Sequence, residues 1–182
     1  MLKYIKEPRS VGALLPSSRY LARKMVGMAD FDRCQVIVEY GPGTGVFTDA
    51  ILRKKKPETK LLLFESNIGF AGMLERKYRD NDSLVVINES AENVGLHLNS
   101  HGFCKADCVL SGLPFASLHR GLSERILAET YKHLSPGGIF ITFQYTLFMK
   151  AFITGHFDSA SLAWEPRNIP PAFVIGCLKQ IT

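Results

Sequence analysis

Apolar residues fall into two alternating spacings along this chain. Short β-branched or leucine-rich runs at residues 36–38, 61–64, 84–87 and 108–110 read as buried strands. Between them, apolar positions return every three or four residues. Val46, Phe47, Ala50 and Ile51 form one such set, residues 70–78 a second, and Ile126, Leu127, Tyr131 and Leu134 a third within a helix predicted over 123–134. Pro136-Gly137-Gly138 stops that helix and leads into a strand at 139–143. Strand alternating with helix predicts a doubly wound, mostly parallel α/β sheet with helices on both faces. In the tail, two weaker strand patterns flank Asn168-Ile169-Pro170-Pro171. They predict a hairpin whose antiparallel final strand closes one edge.

The start of the chain has a different character. Pro16-Ser17-Ser18 offers a helix cap, after which Leu21, Ala22, Met25 and Val26 share one face, with Arg19, Arg23 and Lys24 outside. Lys3, Lys6 and Arg9 precede it. Residues 1–30 are therefore expected to be a basic amphipathic segment capping the core, and 31–182 a single domain. The segment either packs on the sheet edge or rests on anionic lipid.

At 182 residues the chain can bury one core without disulfides. Cys34, Cys104, Cys108 and Cys177 are scattered, without metal-ligand spacing, and read as reduced thiols; no metal site is expected. There is no apolar run of about 20 residues and no cleavable-leader pattern at the start, so a cytoplasmic or inner-face peripheral protein is expected. The net charge of +5 favours an anionic partner, nucleic acid or membrane surface, without choosing between them. Arg53-Lys54-Lys55-Lys56 fits either an RNA-binding run or cations at a helix C-terminus.

The chemistry starts where the first strand ends. Glu39-Tyr40-Gly41-Pro42-Gly43-Thr44-Gly45 places glycines at alternate positions before a helix, the spacing G-x-G-x-G. Dinucleotide sites use G-x-G-x-x-G instead. An acid beside the turn repels a pyrophosphate but suits S-adenosylmethionine, which carries an ammonium and a sulfonium. Glu65, with Ser66 beside it, ends the next strand about 20 residues later, where a carboxylate can accept both hydroxyls of a ribose.

With these features the stretch 36–144 resembles the class I S-adenosylmethionine-dependent methyltransferases. The resemblance implies an adenine contact near the end of the third strand, at Ser90 and Ala91, with Glu89 or Glu92 replacing the family's acid. The fourth strand leads to Ser111-Gly112-Leu113-Pro114-Phe115, similar to the Asn-Leu-Pro-aromatic segment of the rRNA adenine-N6 dimethyltransferases. Gly112 stands at the Asn position and offers no side-chain acceptor. That suits an alkyl amine better than a weakly basic adenine amine. Phe115 either lines the acceptor pocket or lies in the core.

The set Gly12-Ala13-Leu14-Leu15-Pro16-Ser17-Ser18, the Leu113-Pro114-Phe115 segment, Gln144-Tyr145-Thr146 and Arg167-Asn168-Ile169-Pro170-Pro171-Ala172 resembles the bacterial phospholipid N-methyltransferases. This implies methylation of a phosphatidylethanolamine-type amine at a membrane. Gly112, Leu113, Phe115 and Tyr145 would form the catalytic pocket, and Arg167 and Asn168 would meet the head group. Leu147 stands where that family commonly has a tyrosine. An rRNA adenine-N6 methyltransferase, and a cofactor-binding protein without transfer activity, are the alternatives.

Overall fold

The computed structural model describes residues 18–181. Residues 1–17, which include Lys3, Lys6, Arg9 and the motif from Gly12 to Ser17, lie outside the described residues.

Seven strands form one sheet: β1 (Val36–Tyr40), β2 (Lys60–Phe64), β3 (Leu84–Ile87), β4 (Ala106–Ser111), β5 (Leu134–Gln144), β6 (Ser159–Glu165) and β7 (Ala172–Leu178). Their order is β3-β2-β1-β4-β5-β7-β6. Strands β1 to β5 pair in parallel. β7 runs antiparallel to both β5 and β6, so the expected antiparallel final strand lies one place in from the edge. The helices are α1 (Arg19–Val26), α2 (Val46–Leu52), α3 (Ile68–Tyr78), α4 (Val94–Ser100), α5 (Arg120–His133) and α6 (Lys150–Thr154).

Two apolar cores, one on each face, follow from the alternation of side chains along buried strands. Ile37, Leu61, Leu63 and Leu110 meet α1, α2 and α3. Val38, Leu62, Val109 and Phe140 meet α4, α5 and α6. α4 and α6 are too short to show a helical period in sequence; packing decides them. α5 ends at His133, one residue earlier than its apolar spacing suggests, because Leu134 already pairs with Ala106 in the sheet.

α1 starts as its cap predicts, with the Ser18 hydroxyl accepting the Leu21 N–H at 3.2 Å. Leu21, Ala22, Met25 and Val26 are all buried in the first core. The stripe offered above as a possible lipid-resting face is thus spent on the sheet. Lys54 joins α2 to this helix, donating to the Val26 carbonyl at 2.7 Å. Lys55 donates to the Thr59 carbonyl and the Ser83 hydroxyl, both at 2.8 Å. Two cations of the Arg53–Lys56 run are therefore engaged internally. Cys34, Cys108 and Cys177 are buried and Cys104 is exposed, all as free thiols.

Leu21→Ala should destabilise the chain by about 2–5 kcal/mol, the usual cost of a large-to-small change at a closed site. Arg19→Ala, on the exposed face, should stay within about 0.5 kcal/mol. Urea unfolding of both variants checks that α1 is integral to the core.

Candidate active site

The strand order reverses between β1 and β4, which opens a cleft at their carboxyl ends. The glycine turn fills its floor. Gly41, Gly43 and Gly45 all take positive φ, at 63°, 55° and 85°, a region that side chains disfavour. At Gly45 a β-carbon would also fall 2.5 Å from the Tyr78 hydroxyl. Gly43 faces open space. Its N–H donates to Glu65 Oε2 at 3.0 Å, while Asn67 N–H donates to Glu65 Oε1 at 2.9 Å. A carboxylate has about four acceptor positions. Two are used here, so two are left for a vicinal diol in the cleft.

The cleft has a polar and an apolar wall. Glu65, Ser66, Glu89, Ser90 and Ala91 form one, and Leu113, Leu118, Leu122 and Ile126 the other. The Asn88 amide ties β3 to β2 by donating to the Glu65 carbonyl at 2.7 Å. Glu92 is elsewhere: its carboxylate accepts from Arg125 Nε at 2.6 Å outside the cleft. Glu89 is the acid that faces the cleft, held by the Asn93 amide at 3.0 Å. Leu118, Leu122 and Ile126 carried no chemical signal in sequence. Their apolar spacing reads as helix packing, and the same spacing serves both purposes.

Glu39 lies beneath the turn and is fully buried. Thr48 donates to its Oε2 at 2.7 Å, and Oε1 has no partner among the described residues. Burial pushes its pKa up to about 8, with the charges of Asp49 and Glu65 adding and the Thr48 hydrogen bond opposing. Enclosed in this way the carboxyl keeps its proton near neutrality, and a cationic ligand group nearby would draw it back toward the ionised form. Tyr40, in contrast, turns its side chain into the opposite core, where its hydroxyl meets Thr130 at 3.1 Å. Only its backbone serves the site.

Gly112 packs directly against the glycine turn. Its N–H donates to the Tyr40 carbonyl at 2.8 Å, and a β-carbon on it would stand 2.8 Å from the Gly41 carbonyl oxygen. Glycine is thus required here by the close approach of two loops. The Gly112 carbonyl has no hydrogen-bond partner among the described residues, whereas that of Leu113 accepts from Phe115 N–H at 3.0 Å. Ser111 is buried beneath, its hydroxyl accepting the Leu113 N–H at 3.3 Å.

Phe115 takes the core reading. It is 1% exposed and packs edge-on against Phe140, because the turn after Pro114 points it into the second core. It is not available to an ammonium. Asn168 is buried with both amide atoms engaged, by Ser18 N–H at 3.1 Å and the Pro170 carbonyl at 2.7 Å. It pins a loop and does not face a head group.

Arg167 forks onto Glu165 at 2.8 and 3.0 Å and lies over the Tyr20 ring. That hydrogen-bonded pair holds Glu165 down to about 2 against the opposing effect of burial. The fork expected to hold a phosphate already has a partner. Tyr145 is 36% exposed, edge-on to Phe143, and is not among the residues that line the cleft. Burial raises its pKa, with the nearby Asn168 amide opposing the shift.

No family model matches the chain. It is 29% identical over 180 residues to the ornithine lipid N-methyltransferase of Singulisphaera acidiphila, a match covering 96% of this chain and 92% of that one. It is 30% identical over 92 residues to ribosomal RNA small subunit methyltransferase A of Hydrogenobaculum, covering 50% of this chain but 34% of that one. Among solved structures, TrmN from Thermus thermophilus aligns with a TM-score of 0.70 at 16% identity, over 94% of this chain and 52% of that one. The precorrin-6y C5,15-methyltransferase of Geobacter metallireducens aligns at 0.66 and 14% identity, over 88% of each. These structural likenesses concern the fold.

Two measurements test the donor end. Glu65→Ala should lose S-adenosylmethionine binding by calorimetry at least about tenfold, since it removes two loop hydrogen bonds of about 1 kcal/mol each as well as the diol acceptor; undiminished affinity would remove Glu65 from the site. For Glu39 the folded pKa of about 8 exceeds the ordinary 4.5. Its contribution to stability is therefore full below 4.5 and is lost as pH rises through 8. Thermal unfolding without ligand should show that decline in the native chain, and Glu39→Gln should flatten it.

Proposed function

We propose that this chain, a class I S-adenosylmethionine-dependent methyltransferase, transfers the methyl group to a primary alkyl amine carried on a membrane lipid. The observation that carries the amine reading is Gly112. The loop is too tight for the Asn side chain with which the adenine-N6 family grips its base, because a β-carbon here would stand 2.8 Å from the Gly41 carbonyl oxygen. A lone backbone acceptor suffices for an alkyl amine, which is a strong nucleophile once deprotonated and desolvated. The lipid reading is supported by the relative that spans nearly the whole chain and acts on ornithine lipid.

The residues present fit the donor. Glu65 has acceptor capacity for the ribose, Glu89 and the Ser90-Ala91 backbone stand where the base would lie, and Gly43 leaves space above the turn. When bound, the donor supplies an electrophilic methyl group on a sulfonium. The unpartnered Gly112 carbonyl accepts a hydrogen bond from the neutral amine and directs its lone pair. Tyr145, with its pKa raised, keeps its proton at neutral pH, so it positions the amine and does not act as a base. Positioning and exclusion of water by Leu113, Leu118 and Leu122 supply most of the catalysis.

The lipid head group is best read as one without a phosphate clamp. Ethanolamine and ornithine both present a primary alkyl amine. Arg167, the residue expected to hold the phosphate of an ethanolamine lipid, is committed to Glu165. Ornithine lipid is therefore the first choice and phosphatidylethanolamine the second.

Methyl-labelled donor offered to ornithine-lipid vesicles, phosphatidylethanolamine vesicles and unmodified ribosomal RNA should label lipid. Label confined to RNA would overturn the reading. Gly112→Asn should not create adenine methylation. It should weaken donor binding by displacing the Gly41 loop, seen as a raised dissociation constant together with lost activity.

A further inference from the structure

We propose that the β5–α6 and β6–β7 loops form a face that seats the chain on an anionic bilayer with the mouth of the site against the head groups. This rests on the lipid-substrate reading and adds the surface that brings the site to its substrate. Both loops lie at the carboxyl edge of the sheet, beside the cleft: β5 ends at Gln144, which pairs with Phe173 at the start of β7.

The first observation is apolar. Tyr145, Thr146, Leu147 and Phe148 are consecutive and all exposed. Phe148 is 84% exposed and Leu147 43%. On the adjoining loop Ile169 is 86% exposed and is followed by two exposed prolines. Trp164 stands in the same row of the sheet, opposite Phe173, and is 57% exposed. Scattered apolar residues are ordinary on a surface, but here a large aromatic and a branched aliphatic project from two loops that leave the same edge of the sheet. Neither loop contains an acid.

The second observation is charge. The Ser18–Asn168 hydrogen bond joins the start of α1 to the Ile169 loop. Beside that joint a shallow cavity of about 320 Å³ is lined by Tyr20, Arg23, Lys24 and the Glu165–Arg167 pair, which leaves Arg23 and Lys24 as the excess positive charge. On the other side Lys150 opens α6 and is exposed, and Arg120 lies over the Phe152 ring, paired with Glu124 at 3.1 Å. Apolar prongs flanked by cations are the arrangement that partitions into an anionic interface, the prongs entering the acyl boundary while the cations meet the head groups. A bilayer matches both features at once, whereas a second copy of this +5 chain would bring like charges together.

The test uses sedimentation with phosphatidylcholine vesicles, with and without phosphatidylglycerol. The native chain should partition onto the anionic vesicles. The triple variant Leu147→Ser, Phe148→Ser, Ile169→Ser should lose that partition by about tenfold or more, as removal of three apolar insertions implies. It should keep its donor affinity and its rate on amine lipid dispersed in detergent micelles. Arg23→Glu with Lys150→Glu should lose binding to anionic vesicles and leave binding to neutral ones unchanged.

Equal partition of native chain and triple variant would overturn the proposal. So would a native dimer that the triple variant converts to monomer, which would place a second copy on this face. Loss of partition on removing residues 1–17, with the triple variant unaffected, would also overturn it. A native chain that labels no amine lipid even in micelles defeats the substrate reading alone, and the vesicle partition still decides the face.

Discussion

The carboxylate of Glu65 is the point on which the cleft depends. One oxygen holds the glycine turn through Gly43 N–H, and the other holds the end of β2 through Asn67 N–H. A turn of three glycines has little conformational preference of its own and a large entropy to lose. Tethering it to a neighbouring strand fixes where its backbone faces. The parallel pairing of β1 with β2 makes this possible, since it brings Tyr40 level with Phe64 and sets the two strand ends side by side.

The opposite side of the turn is constrained by crowding. A β-carbon on Gly112 would stand 2.8 Å from the Gly41 carbonyl oxygen, and Gly41 itself takes a positive φ of 63°. The glycine turn and the Gly112 loop are therefore one packed unit. The absence of a side chain at position 112 is thus matched by the backbone spacing there.

Glu39 and Glu65 show how two acids of one site divide their tasks. Glu65 is held by two backbone N–H groups, those of Gly43 and Asn67. Glu39 is enclosed and keeps its proton near neutrality. On the far rim Glu165 is a third case, ionised because Arg167 forks onto it. That pair ties the β6–β7 loop to its own strand and takes Arg167 out of the role its sequence position suggested.

The strands, the long helices and the glycine turn were legible in the sequence because each depends on local pattern: β-branched runs, helical spacing, and glycine where φ must be positive. Glu65, Ser66, Ser90 and Ala91 follow strands that the same pattern located, and they line the cleft there. The acceptor end was not legible in this way. Phe115, Asn168, Arg167 and Glu92 are polar or aromatic residues near functional segments, and sequence alone offers no way to tell which direction each side chain takes. Packing sent Phe115 into the core, hydrogen bonding consumed Asn168, and ion pairing claimed Arg167 and Glu92. The leucine wall of the cleft was hidden for the converse reason, since apolar helical spacing looks the same whether the face meets a sheet or a ligand. Local physics set the elements and the donor turn; which side chains meet at the acceptor end was decided by contacts between residues far apart in the chain, which exist only once it has folded.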